Sequence, residues 1–302
     1  MPVIPKTISG AVILLLLGLF AASCNTSTNP EPKIKALRVF AAATDIGLGT
    51  ARVPLNIQML DGARFDDAAD RLEVTYTPPQ SPDGPNLAKA RLVDDLTWRE
   101  WPVRSGVYTA TMTFDVVGFW QVSVRATDDD NLLSGRTGIL VKSGTDAPDI
   151  GDTAPLSRTK TTPADGDLRA ITSAPNPDPD LYAISFDDAV ASGLPTVITF
   201  STPAYCQSAT CGPQTEVLSQ LDDTFKGRAN FIHVEIFDNP QEMLDTGDPS
   251  LGVESPVIHE WGFRTEPWTF VVDGSGTVVA RFESFTTVLE IEESLIRVLE
   301  GV

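Results

Sequence analysis

The sequence predicts two domains, an all-β sandwich followed by an α/β domain. Short segments of alternating polarity, separated by turn residues, recur through residues 36–142, and helical and strand patterns alternate over residues 181–302. The stretch between them, residues 143–180, is rich in Pro, Asp, Thr and Gly, and it predicts an extended linker. At 302 residues, 42% hydrophobic and 21% charged, the chain is long enough for two globular domains.

The charge of the chain restricts its partners. Asp and Glu number 41 against 22 Lys and Arg, which gives a net charge of −19 and an isoelectric point near 4.3. Such a surface repels phosphate, and no run of Lys and Arg interrupts the acidity. We therefore expect no nucleic-acid partner and a well-solvated surface.

The amino-terminal residues have the parts of an export signal. Lys6 and the terminal amine give a positive start, and Ile8 to Phe20 form an apolar run. A run of about 13 residues spans about 20 Å as a helix, which is too short for the hydrocarbon core of a bilayer. A cleaved signal is therefore favoured over an uncleaved membrane anchor.

Small residues lead to a cysteine at the end of this segment. Ala21-Ala22-Ser23-Cys24 resembles the bacterial lipobox, although Leu is more usual than Ala at its first position. The resemblance implies that residues 1–23 are removed and that a lipid on Cys24 holds the protein to a membrane of the cell envelope, on its extracytoplasmic side. Residues 24–35, polar and Pro-containing, predict a flexible tether. An ordinary cleaved signal is the alternative.

The all-β domain is expected over residues 36–142. Alternate apolar residues share one face in segments such as Tyr108–Phe114, and turn sequences such as Asp61-Gly62 separate the segments. Six or seven short strands at this spacing are typical of an immunoglobulin-like sandwich. The domain contains no Cys or His, so we expect a spacer or binding module without chemistry of its own. The predicted strands are Leu37–Ala42, Val53–Met59, Leu72–Thr77, Val107–Phe114, Phe119–Thr127 and Gly138–Val141.

From residue 181 helices and strands alternate. Ser185 with Asp188 can cap a first short helix, and Thr287 with Glu290 can form a capping box for the last one. A hairpin turn is predicted at residues 273–276. The predicted strands are Thr196–Phe200, Phe231–Phe237, Thr269–Val272 and Val278–Phe282, and the main predicted helix is Pro213–Phe225.

These elements resemble the thioredoxin superfamily. The buried strand Thr196–Phe200 leads into a loop with a cysteine, and Cys211-Gly212-Pro213 opens the next helix, as at the family's active-site edge. The segment Glu266-Pro267-Trp268-Thr269-Phe270 is similar to the one in which the family places a cis-Pro against the cysteines. The resemblance covers residues 181–302 and implies a thioredoxin-like fold, in which Pro267 keeps neighbouring backbone open for a substrate strand.

The boundary of this domain has a second interpretation. Residues 147–155 resemble the lead-in of extracytoplasmic thioredoxin-like domains, where a similar segment lies over the sheet. That resemblance implies a domain edge near residue 146 instead of residue 180.

The cysteine spacing departs from the family pattern Cys-Gly-Pro-Cys. Four residues separate Cys206 from Cys211, and Gln214 stands where the family's second thiol belongs. Alignment on Gly-Pro makes Cys211 the nucleophile, at a helix start where N–H groups lower a thiol pKa. Alignment on the distance from the strand makes Cys206 the nucleophile. We favour the first because Gly-Pro has a clear use at a helix start. The resemblance implies exchange with a protein thiol or disulfide, without a cofactor.

Other roles for the cysteine pair stay open. Many family members carry a buried acid where this chain has Thr199, so proton transfer would need another group such as Glu266. The pair could instead be a structural disulfide in a non-catalytic interaction protein. With His259 it could hold Cu(I) in a copper-delivery protein, as in related copper chaperones that use a shorter spacing.

Overall fold

The computed structural model describes residues 33–62, 69–80, 89–102, 106–128 and 131–301. The predicted signal over residues 1–23, Cys24 and most of the tether lie outside these ranges. In the part of the chain that is described, no helix has the length and apolarity that a membrane crossing requires.

The N-terminal β region contains all six predicted strands. Its strands lie in the order β4-β3-β7-β8-β1-β2-β6-β5. The two additional strands, β4 and β5, are two and four residues long, too short to show an alternating pattern in the sequence. The strands are β1 (Lys33–Ala41), β2 (Gly49–Met59), β3 (Leu72–Thr77), β4 (Arg91–Leu92), β5 (Thr97–Glu100), β6 (Gly106–Phe114), β7 (Gly118–Asp128) and β8 (Asn131–Val141).

Strand β1 joins the two layers of this region. Its first residues pair in parallel with β8, and its residues from Leu37 onward pair antiparallel with β2. Gly135 of β8 lies at this change of partner, and a Cβ there would stand 2.7 Å from the Leu37 carbonyl oxygen, so the close approach requires glycine. Across the layers, the Phe114 ring packs edge-on against Trp120 at 5.1 Å. The region is therefore a two-layered β-sandwich around one core.

The segment 143–180 is not the extended linker that its composition predicts. The N–H groups of Gly151 and Ala154 donate to carbonyl groups of Val278 and Gly276, so the chain adds to a sheet edge of the C-terminal domain. Many buried side chains of this segment are small, so its sequence shows no apolar periodicity. The buried ones are Ala147, Ala154, Ser157, Thr159, Thr172 and Ser173. Residues of this segment from Ala147 onward thus pack with the C-terminal sheet.

The C-terminal domain is built on a four-stranded sheet in the order β10-β9-β11-β12. β10 and β9 are parallel, and the other two pairings are antiparallel. The elements are α1 (Phe186–Ala191), β9 (Thr196–Ser201), α2 (Cys211–Phe225), β10 (Asn230–Glu235), α3 (Pro240–Thr246), α4 (Pro256–Trp261), β11 (Trp268–Val272), β12 (Val278–Glu283) and α5 (Val288–Glu300).

Helices cover both faces of this sheet. Alternate residues of β9 belong to different clusters: Phe200 packs with Trp261 of α4, whereas Val197 lies in the cluster that contains Leu218 of α2. A strand buried on both faces explains why Thr196–Ser201 is apolar or small throughout. Each predicted strand and helix here has the expected secondary structure, including the capping box of α5. Ser185 is the N-cap of α1, but its side chain makes no capping hydrogen bond.

Partly buried polar contacts connect the sandwich with the C-terminal sheet. The N–H groups of Thr44 and Asp45 donate to Glu283 Oε2, at 2.7 and 2.9 Å. Asp45 Oδ2 also accepts from Arg281 at 2.6 Å, and the Arg281 guanidinium stacks over the ring of Trp268 at 4.9 Å. The described residues from Lys33 onward thus form one unit.

Candidate redox site

Strand β9, the loop after it and helix α2 position both cysteines. β9 ends at Ser201, the loop continues to Thr210, and Cys211 is the first residue of α2. A disulfide joins Cys206 to Cys211, and their Cα atoms lie 5.9 Å apart, within the usual range for such a bond.

The two cysteines differ in burial. Cys211 is 0% exposed, whereas Cys206 is partly exposed in the loop. Gly212-Pro213 does open a helix, as the first alignment expects, but the first residue of that helix is covered. Of the two cysteines, only Cys206, the nucleophile of the second alignment, is accessible to solvent.

Two hydroxyl groups stand beside Cys206. Ser208 Oγ lies 3.2 Å from Cys206 Sγ and 2.7 Å from Thr210 Oγ1. Thr210 is the N-cap residue of α2, yet its side chain makes no capping hydrogen bond. Ala209, between them, has a φ of +59°, in the left-handed region that non-glycine residues rarely adopt.

Gln214 has a structural role at the position of the family's second thiol. It is fully buried, and its Oε1 accepts a hydrogen bond of 2.8 Å from the backbone N–H of Thr286. Its Nε2 has no hydrogen-bond partner among the described residues. Gln214 therefore ties the first turn of α2 to the chain that precedes α5.

Pro267 lies at the end of the sheet where β9 leads into the cysteine loop. The Glu266–Pro267 peptide bond is cis. The next residue, Trp268, is opposite Phe200 in the β11–β9 register, which places Pro267 beside the end of β9. Burial raises the pKa of the half-buried Glu266 carboxyl. Trp261 and Trp268 are 0% and 1% exposed and are core residues.

A neutral hydrogen-bond network lies in the sheet beneath the loop. The Thr199 hydroxyl, at the position of the family's acid, is 2.9 Å from that of Thr269. His233 of β10 bonds through Nδ1 to the Tyr182 hydroxyl at 2.8 Å and through Nε2 to the Ser201 hydroxyl at 2.9 Å. Burial lowers the pKa of His233 to about 4, so the imidazole is uncharged at neutral pH.

Sequence reasoning missed a buried acid, Glu235, at the end of β10. It is opposite Ser201 in the β10–β9 register, and its Oε2 accepts from the Ser173 N–H at 2.8 Å. Ser173 Oγ in turn accepts from the Ala204 N–H at 3.1 Å, which connects the acid to the cysteine loop. Burial raises the pKa of this carboxyl. The signal in the sequence that could have found Glu235 was a charged residue within a strand that helices cover on both faces.

His259 does not join the cysteines. It lies on α4 with its side chain 72% exposed, and its Nε2 is 3.2 Å from Glu254 Oε2. Among the described residues, no group of three or more His, Cys, Asp or Glu could hold a metal ion. The three-residue copper site considered from the sequence is therefore not assembled in this part of the chain.

Comparison with known proteins gives partial similarities. No family model matches the chain, and no curated protein matches it. A thiol:disulfide interchange protein of the thioredoxin family from Chlorobium tepidum TLS is 16% identical, covering 51% of this chain and 99% of its own, with a TM-score of 0.34. A DsbF homologue from Corynebacterium diphtheriae is 14% identical over 52% of this chain and 91% of its own, with a TM-score of 0.32.

The sandwich part also has a partial structural similarity. The Lin-41 filamin domain is 14% identical, covering 38% of this chain and 99% of its own, with a TM-score of 0.23. All of these TM-scores are low, so what the chain does must be argued from its own geometry.

Proposed function

We propose that the chain is a thioredoxin-like thiol–disulfide exchange protein that acts through Cys206 and Cys211. One observation carries the proposal: the two cysteines form a disulfide at the start of α2, with one member accessible and the other buried. The accessibility of Cys206 supports an exchange in which the partner reacts with Cys206 first and Cys211 acts second. The cis-Pro267 segment, at the end of the sheet next to the cysteine loop, supports binding of an extended partner chain.

The exchange begins at Cys206. In the reduced protein, the Cys206 thiolate attacks one sulfur of a partner disulfide, and the other partner sulfur leaves as a thiolate. Cys211, as a thiolate, then attacks the Cys206 sulfur, which re-forms the internal disulfide and releases the first partner sulfur. Two electrons pass to the partner. Cys211 lies at the amino terminus of α2, where the helix dipole stabilises its negative charge.

The proposed location is the extracytoplasmic side of a membrane, with the chain held there by lipid on Cys24. The lipobox-like sequence and the presence of one closely spaced cysteine pair support this placement. The expected partners are exported proteins with thiols or disulfides.

Trapping of mixed disulfides tests the order of attack. Cys211→Ser is expected to accumulate mixed disulfides through Cys206, because no second thiol can resolve them, and Cys206→Ser is expected to trap none. The alignment on Gly-Pro predicts the reverse pattern. The measurement is non-reducing electrophoresis after incubation with a disulfide-containing peptide, with the double Ser variant as control.

Complete burial of Cys211 favours one other candidate, a disulfide that only staples the loop. Titration with dithiol and glutathione buffers distinguishes the two roles. The exchange function predicts a measurable reduction potential in the range of cellular thiol couples. A pair that stays oxidised in excess strong dithiol, together with no trapping by either single variant, would overturn the exchange function.

A further inference from the structure

A chain of two hydroxyl groups leads to the accessible cysteine. Thr210 is 3% exposed, and the hydrogen bond of its hydroxyl to Ser208 Oγ, at 2.7 Å, orients it toward the loop and away from the N–H groups of α2. At an N-cap position a Thr hydroxyl ordinarily accepts from those N–H groups. In this loop the Thr210 hydroxyl bonds instead to Ser208, whose hydroxyl contacts Cys206 Sγ.

The direction of these two hydrogen bonds depends on which hydroxyl group donates its proton to which acceptor. If the Thr210 hydroxyl donates to Ser208 Oγ, the Ser208 proton is free to donate to Cys206 Sγ, 3.2 Å away. Successive hydroxyl groups polarise one another, so the last donor is strengthened. Hydrogen bonds to a charged acceptor are stronger than those to a neutral one, so the contact gains most when Cys206 is a thiolate.

We propose that Ser208 is a catalytic residue that donates a hydrogen bond to the Cys206 thiolate, with Thr210 as the residue that positions it. This inference rests on the proposed function, because it concerns the sulfur that attacks the partner. The Ser208 proton stays on its oxygen throughout. Its hydrogen bond stabilises Cys206 as a thiolate before attack. In the reverse exchange, it stabilises Cys206 as the leaving group when a second partner thiolate attacks the partner sulfur of the mixed disulfide.

The position of Ala209 supports this assignment. Its φ of +59° turns the backbone between Ser208 and Thr210, so that the two side chains meet on one side of the loop. Non-glycine residues rarely adopt this conformation, and the fold maintains it here next to the cysteine pair.

Alkylation of a single thiol tests the proposal without requiring a redox cycle. In a Cys211→Ser background, the rate of reaction of Cys206 with iodoacetamide is measured from pH 5 to 10. Adding Ser208→Ala is expected to reduce the thiolate fraction about fivefold at pH values below the midpoint, as an upward shift of that midpoint. Thr210→Val is expected to shift the midpoint in the same direction by less, and Ser208→Thr to restore it.

The controls separate the hydroxyl from its surroundings. Gln207→Ala changes an exposed neighbour in the same loop and is expected to leave the midpoint unchanged. The other titratable groups near the loop, Tyr205, Glu235 and Glu266, are present in every variant, and circular dichroism verifies folding. Equal midpoints with and without Ser208, or equal shifts from Gln207→Ala and Ser208→Ala, would overturn the role of Ser208. That result would leave the exchange function intact, because trapping and reduction potential are measured on other variants.

Discussion

Two buried glutamates show how local surroundings set charge in this molecule. Around Glu235 burial dominates, no cation pairs with the carboxyl among the described contacts, and the pKa is raised. Around Glu290 burial also raises the pKa, but the charge and hydrogen bond of Arg52, 2.7 Å away, together lower it below its usual value. Relative to a free glutamate, ionisation is therefore less favourable at Glu235 and more favourable at Glu290.

The raised pKa of Glu235 predicts a loss of stability at high pH. When the pKa of a group is higher in the folded than in the unfolded state, the group stabilises the folded state fully at pH values below its unfolded-state pKa. This stabilisation is lost as the pH rises through the folded-state pKa. Glu235→Gln is therefore expected to gain stability relative to the native chain between pH 4 and pH 8. Urea unfolding at both pH values measures this change, and Glu216→Gln, at an exposed position on α2, is the matched control. A difference that is the same at both pH values would contradict the prediction.

At the scale of elements, α2 carries the reactive end of the site and is fastened at its first turn. Cys211 links it to the loop, and Gln214 links it to Thr286 before α5. The sequence pattern located this helix within two residues of its start. It did not reveal that the first turn is buried, because that depends on the chain around residues 284–286, distant in sequence.

Removing the Gln214 acceptor should loosen this first turn. Gln214→Leu leaves the buried Thr286 N–H without a partner, which is expected to lower the free energy of unfolding by about 1–3 kcal/mol. Urea denaturation measures the loss, and Gln220→Leu at an exposed position of the same helix should change it by less than about 0.5 kcal/mol. Equal effects of the two substitutions would show that the Gln214 contact contributes little.

At the scale of the whole molecule, the sandwich is joined to the sheet beside the Cys206–Cys211 disulfide. Arg281 pairs with Asp45 of the sandwich and stacks on Trp268, which directly follows cis-Pro267. Arg52 of β2 pairs with Glu290 at the start of α5. The sandwich thus contacts strands and helix ends next to the site, and its orientation relative to Pro267 is set by buried charge pairs.

The pair between Arg52 and Glu290 predicts the opposite pH dependence to Glu235. When the pKa of a carboxyl is lower in the folded than in the unfolded state, the carboxylate stabilises the folded state at pH values above its unfolded-state pKa. This stabilisation is lost as the pH falls through the folded-state pKa. Glu290→Gln preserves the capping box and is expected to cost about 2 kcal/mol at pH 7, with the deficit disappearing toward pH 3. The exposed Glu293→Gln should show neither effect in the same unfolding series. A deficit independent of pH would mean that packing, not charge, connects the two regions.

The local pattern of residues determined much of this protein. Period-two alternation predicted six strands of the sandwich, Thr287 and Glu290 predicted the capping box, and the order of elements after residue 181 followed from apolar spacing. These features depend on neighbours within a few residues, so they can be read along the chain. The pairing of Cys206 with Cys211 was likewise implied by their proximity in sequence.

Tertiary structure alone decided which cysteine is accessible and what surrounds it. Burial of Cys211 requires α2 to pack against the sheet, and the pKa of Glu235 is raised because distant segments bury its carboxyl. The segment 143–180 is packed because a sheet edge offers hydrogen bonds to it, which no composition reveals. Burial and charge depend on contacts between distant segments, and for that reason the sequence alone does not tell that Cys211 is buried and Cys206 partly exposed.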